Sequence, residues 1–200
     1  MRRLACLALL LLLSGCVTAQ DTITNVDPAP RLRFLNFAGY DSPVLMLAVN
    51  APFQLPAEDV SARLAEMAEG AVMGSDVTYT ARRGAAKKNN YRIVARFDAD
   101  QGADTKEVCK SAFGPVVAAR YADRTNLFLA FCDMEEPIAG AKVSGPKLTG
   151  PGDPNLPDML RQGMKAMFPH HSDKSGSGSM GSFEVAPTPR FRLNPLDGII

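Results

Sequence analysis

Cysteines offer the clearest chemistry in this 200-residue chain, which contains four of them. The cysteine thiolate is a strong nucleophile that can be alkylated or oxidised. Cys16 ends a segment in which two arginines precede an apolar run from Leu4 to Leu13 and two small residues follow it. The run is ten residues long, about half of the ~20 that a membrane-spanning helix needs. Residues 1–15 are therefore predicted to be a signal peptide rather than a membrane span.

The four residues Leu13-Ser14-Gly15-Cys16 resemble the lipobox of bacterial lipoproteins. The resemblance implies that the leader is cut before Cys16, that this cysteine carries a diacylglycerol, and that the new amino terminus is acylated. Two or three acyl chains hold a protein firmly on a bilayer, whereas one chain does so only marginally. Val17 stands where an aspartate would mark retention in the inner membrane, so the resemblance implies an outer-membrane anchor facing the periplasm. The alternative is a secreted protein in which Cys16 is incidental.

Cys109 and Cys132 remain in the body of the mature chain. An even pair in an exported protein predicts a disulfide, and this one would close a loop of 24 residues. The spacing is not that of a Cys-x-x-Cys redox motif. The chain's two histidines, His170 and His171, lie far from both cysteines in sequence and rarely share one ion as neighbours. We therefore predict neither a metal site nor a cofactor.

Catalytic constellations are weak in this sequence. Glu135 and Glu136 could form a carboxylate pair for glycan cleavage, but neighbours on an exposed loop are more often solvent-facing. Motifs of the GxSxG, SxxK and HExxH types and phosphate-binding glycine loops do not occur. No catalytic residue is predicted, and a non-enzymatic protein is favoured over an envelope hydrolase.

Composition divides the chain into four parts. Loss of residues 1–15 leaves 20 basic and 21 acidic residues, so the near-neutral mature chain gives no argument for nucleic-acid binding. Residues 16–31 are polar and proline-containing and are predicted to be a lipidated tether, and residues 32–169 to be one domain. Residues 170–200 are predicted to be a flexible tail with a Gly/Ser linker at 175–182. The tail regains apolar residues after that linker, which leaves open whether it packs on the body, contacts a partner or stays disordered.

The predicted elements give an α+β fold. Val44–Val49 reads as a buried strand, PAEDVSARLAEMAEG as an amphipathic helix ending near Gly70, and DPNLPDMLRQGMKAMF as a closing helix. One hairpin is predicted from DVTYTARR and NYRIVARFD. A second is predicted from PVVAAR and TNLFLAFC, extended by AKVSG, with Cys132 opposite Phe113. We expect a mainly antiparallel sheet of five to six strands with two helices on one face.

Positive charge accumulates on the first predicted hairpin, which we expect to present one basic edge or tip. That edge is a candidate contact for anionic lipid headgroups, lipopolysaccharide phosphates or peptidoglycan carboxylates; the alternative is an edge kept soluble by its charges. The six residues are Arg82, Arg83, Lys87, Lys88, Arg92 and Arg96.

The layout as a whole resembles small envelope lipoproteins of Gram-negative bacteria, a likeness that carries over no active site. We expect a membrane-anchored protein that binds or scaffolds an envelope protein, a glycan or an anionic lipid. An envelope hydrolase and a ligand-binding lipoprotein serving a transporter are the alternatives. The sequence leaves the oligomeric state open.

Overall fold

The computed structural model describes residues 16–24, 27–97, 103–113 and 123–169. Within them, six strands form one mixed sheet in the order β1-β6-β5-β4-β2-β3, with four α-helices, which confirms the predicted α+β class. The strands are β1 (Thr18–Asp21), β2 (Val44–Val49), β3 (Tyr79–Thr80), β4 (Tyr91–Phe97), β5 (Arg124–Asp133) and β6 (Glu136–Pro146). The helices are α1 (Ala29–Ala38), α2 (Ala57–Ala68), α3 (Thr105–Ser111) and α4 (Asn155–Met167).

Alternation along the strands separates two buried clusters. Ile93, Ala95 and Phe97 of β4 lie in the main core with apolar residues of α1, α2 and α4. Val94 lies in a smaller cluster with Val108 and Cys109 of the α3 helix. The predicted helices α2 and α4 both pack on the face of the main core, and the helix α3, which was not predicted, covers part of the other face of β4.

Gly163 sets the distance between α4 and the sheet. A Cβ at this position would lie 2.5 Å from Leu129 Cδ1 and 2.8 Å from Val143 Cγ2. We expect Gly163→Ala to lower the free energy of unfolding by about 1–2 kcal/mol, because overpacking costs more than the gain in helix propensity returns. Urea denaturation measures the change. Gly152→Ala, where a Cβ would meet nothing within 4 Å, is the near-neutral control, and a Gly163→Ala protein as stable as that control would contradict the packing argument.

Asp153 organises the loop that leads into α4. Burial raises the pKa of its carboxyl, but four hydrogen bonds from Thr149 and Asn155 outweigh that effect and hold the pKa below its ordinary value. A lowered folded-state pKa contributes stability above the unfolded-state pKa, and that contribution is lost as the pH falls through the folded-state value.

We therefore expect Asp153→Asn to be less stable than the parent by about 1 kcal/mol at pH 7. The difference should shrink as the pH falls below about 4, because the carboxyl takes up a proton first in the unfolded chain and, at lower pH, in the folded chain as well. Urea midpoints across this pH range test the expectation. Asp158→Asn, on the exposed start of the same helix, is the control, and a gap that does not change with pH would contradict the role of the Asp153 charge.

The first predicted hairpin is wrong. β3 has only two residues and pairs parallel with β2, while β4 pairs parallel with the other side of β2. The strand β2 is almost entirely buried and pairs along both of its edges. It therefore lies between β3 and β4, the two segments that were expected to pair with each other.

The second predicted hairpin is replaced by another. β5 pairs antiparallel with β6 across a turn at Met134 and Glu135, so most of the predicted loop DMEEPIAG belongs to β6. Gly140 permits this, because a Cβ there would lie 2.5 Å from side-chain atoms of Thr22 and Thr105. Cys132 lies level with Arg92 and Pro137 rather than Phe113. The PVVAAR segment lies outside the described residues.

The predicted tether is also corrected. Residues 18–21 form β1, which pairs antiparallel with β6, and α1 begins at Ala29. The prolines that indicated a tether start this helix, since proline is tolerated in a first helical turn. Edge pairing to β6 and packing of Val17 and Ala19 against the core hold the segment on the body. The predicted leader, His170, His171 and the predicted tail lie outside the described residues.

The predicted disulfide is present. Cys109 and Cys132 are bonded, with a Cα–Cα distance of 5.8 Å, and both side chains are fully buried. The pairing arises because α3 lies against β5, and not from the predicted hairpin that placed Cys132 opposite Phe113.

Candidate interaction surfaces

Cys16 lies at one end of the sheet, which we call the anchor end. It is exposed and unpaired, and only Val17 separates it from β1. Arg124, the first residue of β5, donates from Nη2 to the Cys16 carbonyl at 3.2 Å and from Nε to Ser144 Oγ at 3.2 Å. The chain is thus tied to the sheet at Cys16 itself.

The α1 helix crosses the opposite, distal end of the molecule. Its buried residue Arg31 donates to Asp21 Oδ2 at 2.7 Å, to the Ile23 carbonyl, and to the Met167 carbonyl at 3.3 Å. Asp21 ends β1 and Met167 ends α4. Arg31 therefore joins the ends of two elements to α1, while Leu35 and Ala38 anchor the same side of α1 in the core.

A cluster that we call the aromatic face is made of Phe34 and Phe37, on the outer side of α1, and of Tyr40, which follows the helix. These side chains are 44%, 55% and 87% exposed, and they follow one another at intervals of three residues. The Phe37 ring packs edge-on against Tyr91, with centroids 5.8 Å apart. Exposed apolar residues grouped in this way mark interaction sites more often than isolated ones do.

Cations border the aromatic face. Lys88 Nζ lies 5.0 Å from the Phe37 ring centroid and 2.6 Å from Asp41 Oδ1. Lys87 Nζ lies 3.5 Å from the other Asp41 oxygen. The hydrogen bond from Lys88 lowers the pKa of the Asp41 carboxyl. Because two ammonium groups share one carboxylate, this border keeps a net positive charge.

The other predicted basic residues lie elsewhere. Arg82 and Arg83 are exposed just after β3, at the outer edge of the sheet. Arg96 is half-buried on β4. Arg92 is 1% exposed, donates to the Met134 carbonyl, and lies with its guanidinium 4.0 Å from the Phe113 ring centroid. Burial lowers the pKa of Arg92.

The six residues are therefore not brought together in one surface. Contact of the exposed ones with an anionic surface stays a prediction.

Two open depressions flank α2. One, of about 530 Å³, is bordered by four acidic residues of α2 and its end and by Arg82. The other, of about 430 Å³, lies at the end of β2 and includes Ser61 of α2. Ser61 Oγ donates to the Ala57 carbonyl at 2.6 Å and accepts from the Ala48 N–H at 2.8 Å. That hydroxyl holds α2 on β2 and is not placed as a free nucleophile.

The glutamate pair lies at the β5–β6 turn. Glu135 and Glu136 are exposed, and Glu136 pairs with Lys106 at 2.6 Å. In the parts of the chain that the structure describes, no three His, Cys, Asp or Glu residues are grouped so as to hold a metal ion. None of the described helices has the length and apolar character needed to cross a membrane.

Sequence reasoning missed the aromatic face because it placed the start of the domain after α1 had begun. The available signal was the spacing of Phe34, Phe37 and Tyr40 behind two prolines that suit a helix start.

A scan against models of protein families, a search of curated proteins and a search of solved structures found no match to this chain.

Proposed function

We propose that this chain is a lipoprotein of the outer membrane, anchored through Cys16 and facing the periplasm, with a non-enzymatic binding or scaffolding role. One observation carries the proposal. Cys16 and the aromatic face lie at opposite ends of the sheet, so a lipid on Cys16 would leave the aromatic face turned away from the bilayer.

The short connection at the anchor end supports this arrangement. With one residue between Cys16 and β1, and with Arg124 bonded to the Cys16 carbonyl, a lipidated chain would hold the domain close to the headgroups. Arg124 and Lys147 are exposed near this end, where each cation could add up to ~1 kcal/mol on an anionic surface.

The aromatic face favours a protein partner over a catalytic role. Aromatic residues are enriched among interface residues that contribute most to binding, and such residues often have a polar rim. Phe34, Phe37 and Tyr40 provide the apolar centre, and Lys87 and Lys88 provide a positive border. The complementary partner is a protein surface that combines apolar side chains with carboxylates.

Processing tests the anchor. In a Gram-negative host, Cys16→Ser is expected to accumulate as an uncut precursor that takes up no labelled fatty acid. The parent chain should be cut and labelled. Normal cleavage of the Cys16→Ser chain would contradict the lipoprotein proposal.

Site-specific photo-crosslinking in intact cells tests the partner. A photoreactive residue at position 37 is expected to capture one recurring envelope protein, and the same residue at position 55, which is exposed in the loop after β2 at the anchor end, is not. Recovery of glycan or lipid instead, or equal capture from both positions, would overturn the assignment of a protein partner to the aromatic face.

A further inference from the structure

We propose that the tail segment, residues 183–200, binds the aromatic face of its own chain, so that a protein partner would have to compete with it. This goes beyond the proposed function, because it requires neither lipidation of Cys16 nor an envelope partner. The occupant is the tail segment of the same chain, and the binding site is the aromatic face.

The position at which the described chain stops supports the proposal. The Met167 carbonyl accepts a hydrogen bond from Arg31 of α1, so α4 ends beside the helix that carries the aromatic face. A row of aromatic rings connects the end of α4 to the aromatic face. The ring centroids are 5.7 Å apart for Phe168 and Phe131, 6.2 Å for Phe131 and Tyr91, and 5.8 Å for Tyr91 and Phe37. The rings of Phe168 and Phe37 can thus be at most about 18 Å apart.

The intervening linker has the right length for this distance. Residues 170–182 number thirteen and include SGSGSMGS. A Gly/Ser-rich chain of that length has a root-mean-square span of about 20 Å. A linker whose span matches the distance between two sites gives an effective concentration of order millimolar, so even a weak contact would be occupied.

The tail segment has chemistry that suits an aromatic surface. FEVAPTPRFRLNPLDGII contains three prolines among apolar residues. Proline favours an extended backbone that loses little entropy on binding, and proline-containing segments dock on surfaces lined by aromatic side chains. The segment also contains Glu184 and Asp197, whose negative charges complement Lys87 and Lys88, and two arginines, a residue type that is attracted to aromatic rings.

Hydrogen exchange of the full mature chain tests the proposal. Amides of residues 191–193 are expected to exchange about tenfold more slowly in the parent than in Phe34→Ser/Tyr40→Ser, a factor in keeping with millimolar effective concentration. Both side chains are exposed, so their replacement leaves the core unchanged. Leu55→Ser, which removes an exposed apolar residue from the anchor end, should keep the parent's slow exchange. Unchanged exchange in α4 confirms that each variant is folded.

Three outcomes would overturn the proposal. Fast exchange of residues 191–193 in the parent would mean that the tail segment does not dock. Slow exchange that survives Phe34→Ser/Tyr40→Ser would place the segment on another surface. Slow exchange that depends on protein concentration would identify a second copy of the chain as the occupant.

Discussion

Replacing Arg31 with methionine is expected to lower the free energy of unfolding by about 3–5 kcal/mol, the range for breaking a buried ion pair by removing one partner. The Arg31 side chain is 2% exposed, and its guanidinium donates to Asp21 and to the Ile23 and Met167 carbonyls. Methionine fills a similar volume but donates no hydrogen bond. Because Asp21 remains 26% exposed, water can partly replace the lost partner, and the lower half of the range is expected.

Urea denaturation of the chain from residue 16 onward measures this loss. Arg33→Met is the matched control, because Arg33 is an exposed arginine on the same helix and should change stability by less than ~0.5 kcal/mol. Asp21→Asn and the double variant complete a cycle that isolates the coupling between the two charges, expected at about 0.5–3 kcal/mol. Equal losses for Arg31→Met and Arg33→Met would contradict the assigned role.

The elements with dense periodic patterns were predictable from the sequence. β2 was predicted with the bounds that the structure has, because six consecutive apolar residues suit a strand that is covered on both faces. The helices α2 and α4 were recognised from apolar residues at helical spacing together with helix end signals. Each of these elements is specified by its own residues.

The elements that depend on distant partners were not predictable. β1 is a polar segment that becomes a strand because the edge of β6 pairs with it. In α1, a charged residue occupies a buried position, and only the oxygens of Asp21, Ile23 and Met167 make that arrangement stable. β3 and β4 are neighbours in sequence, yet β2 separates them, which local patterns do not encode.

The candidate surfaces show the same division. The disulfide was predicted from the cysteine count and the predicted signal peptide alone, but its geometry depends on α3, which was not predicted. The basic residues were close in sequence, while strand alternation turns Arg92 and Arg96 toward the α3 side of β4 and leaves Lys87 and Lys88 beside Asp41. The aromatic face depends on α1, whose apolar pattern is interrupted by a buried arginine, Arg31, so that only the aromatic spacing and the two prolines indicated the helix in the sequence.

Removing the disulfide with Cys109→Ala/Cys132→Ala is expected to lower the free energy of unfolding by about 3 kcal/mol, from the loop-closure entropy of 24 residues. Cys16→Ser is included in every chain so that no free thiol can exchange. Urea denaturation measures the difference between the paired and unpaired chains. Reductant supplies the internal control, since it should destabilise the paired chain by a similar amount and leave the alanine variant unchanged.

Removal of the disulfide should destabilise α3 before the rest of the domain. A helix of seven residues is too short to be stable alone, and α3 is held by burial of Val108 and Cys109, by the disulfide, and by the Asp104 carboxylate accepting from the Glu107 N–H at 2.7 Å. Amides of α3 should therefore exchange faster in the alanine variant at urea concentrations where β5 is still protected. Simultaneous loss of protection in α3 and β5 would contradict this expectation. It would show that the disulfide stabilises the whole domain by restricting the unfolded chain, without a separate effect on α3.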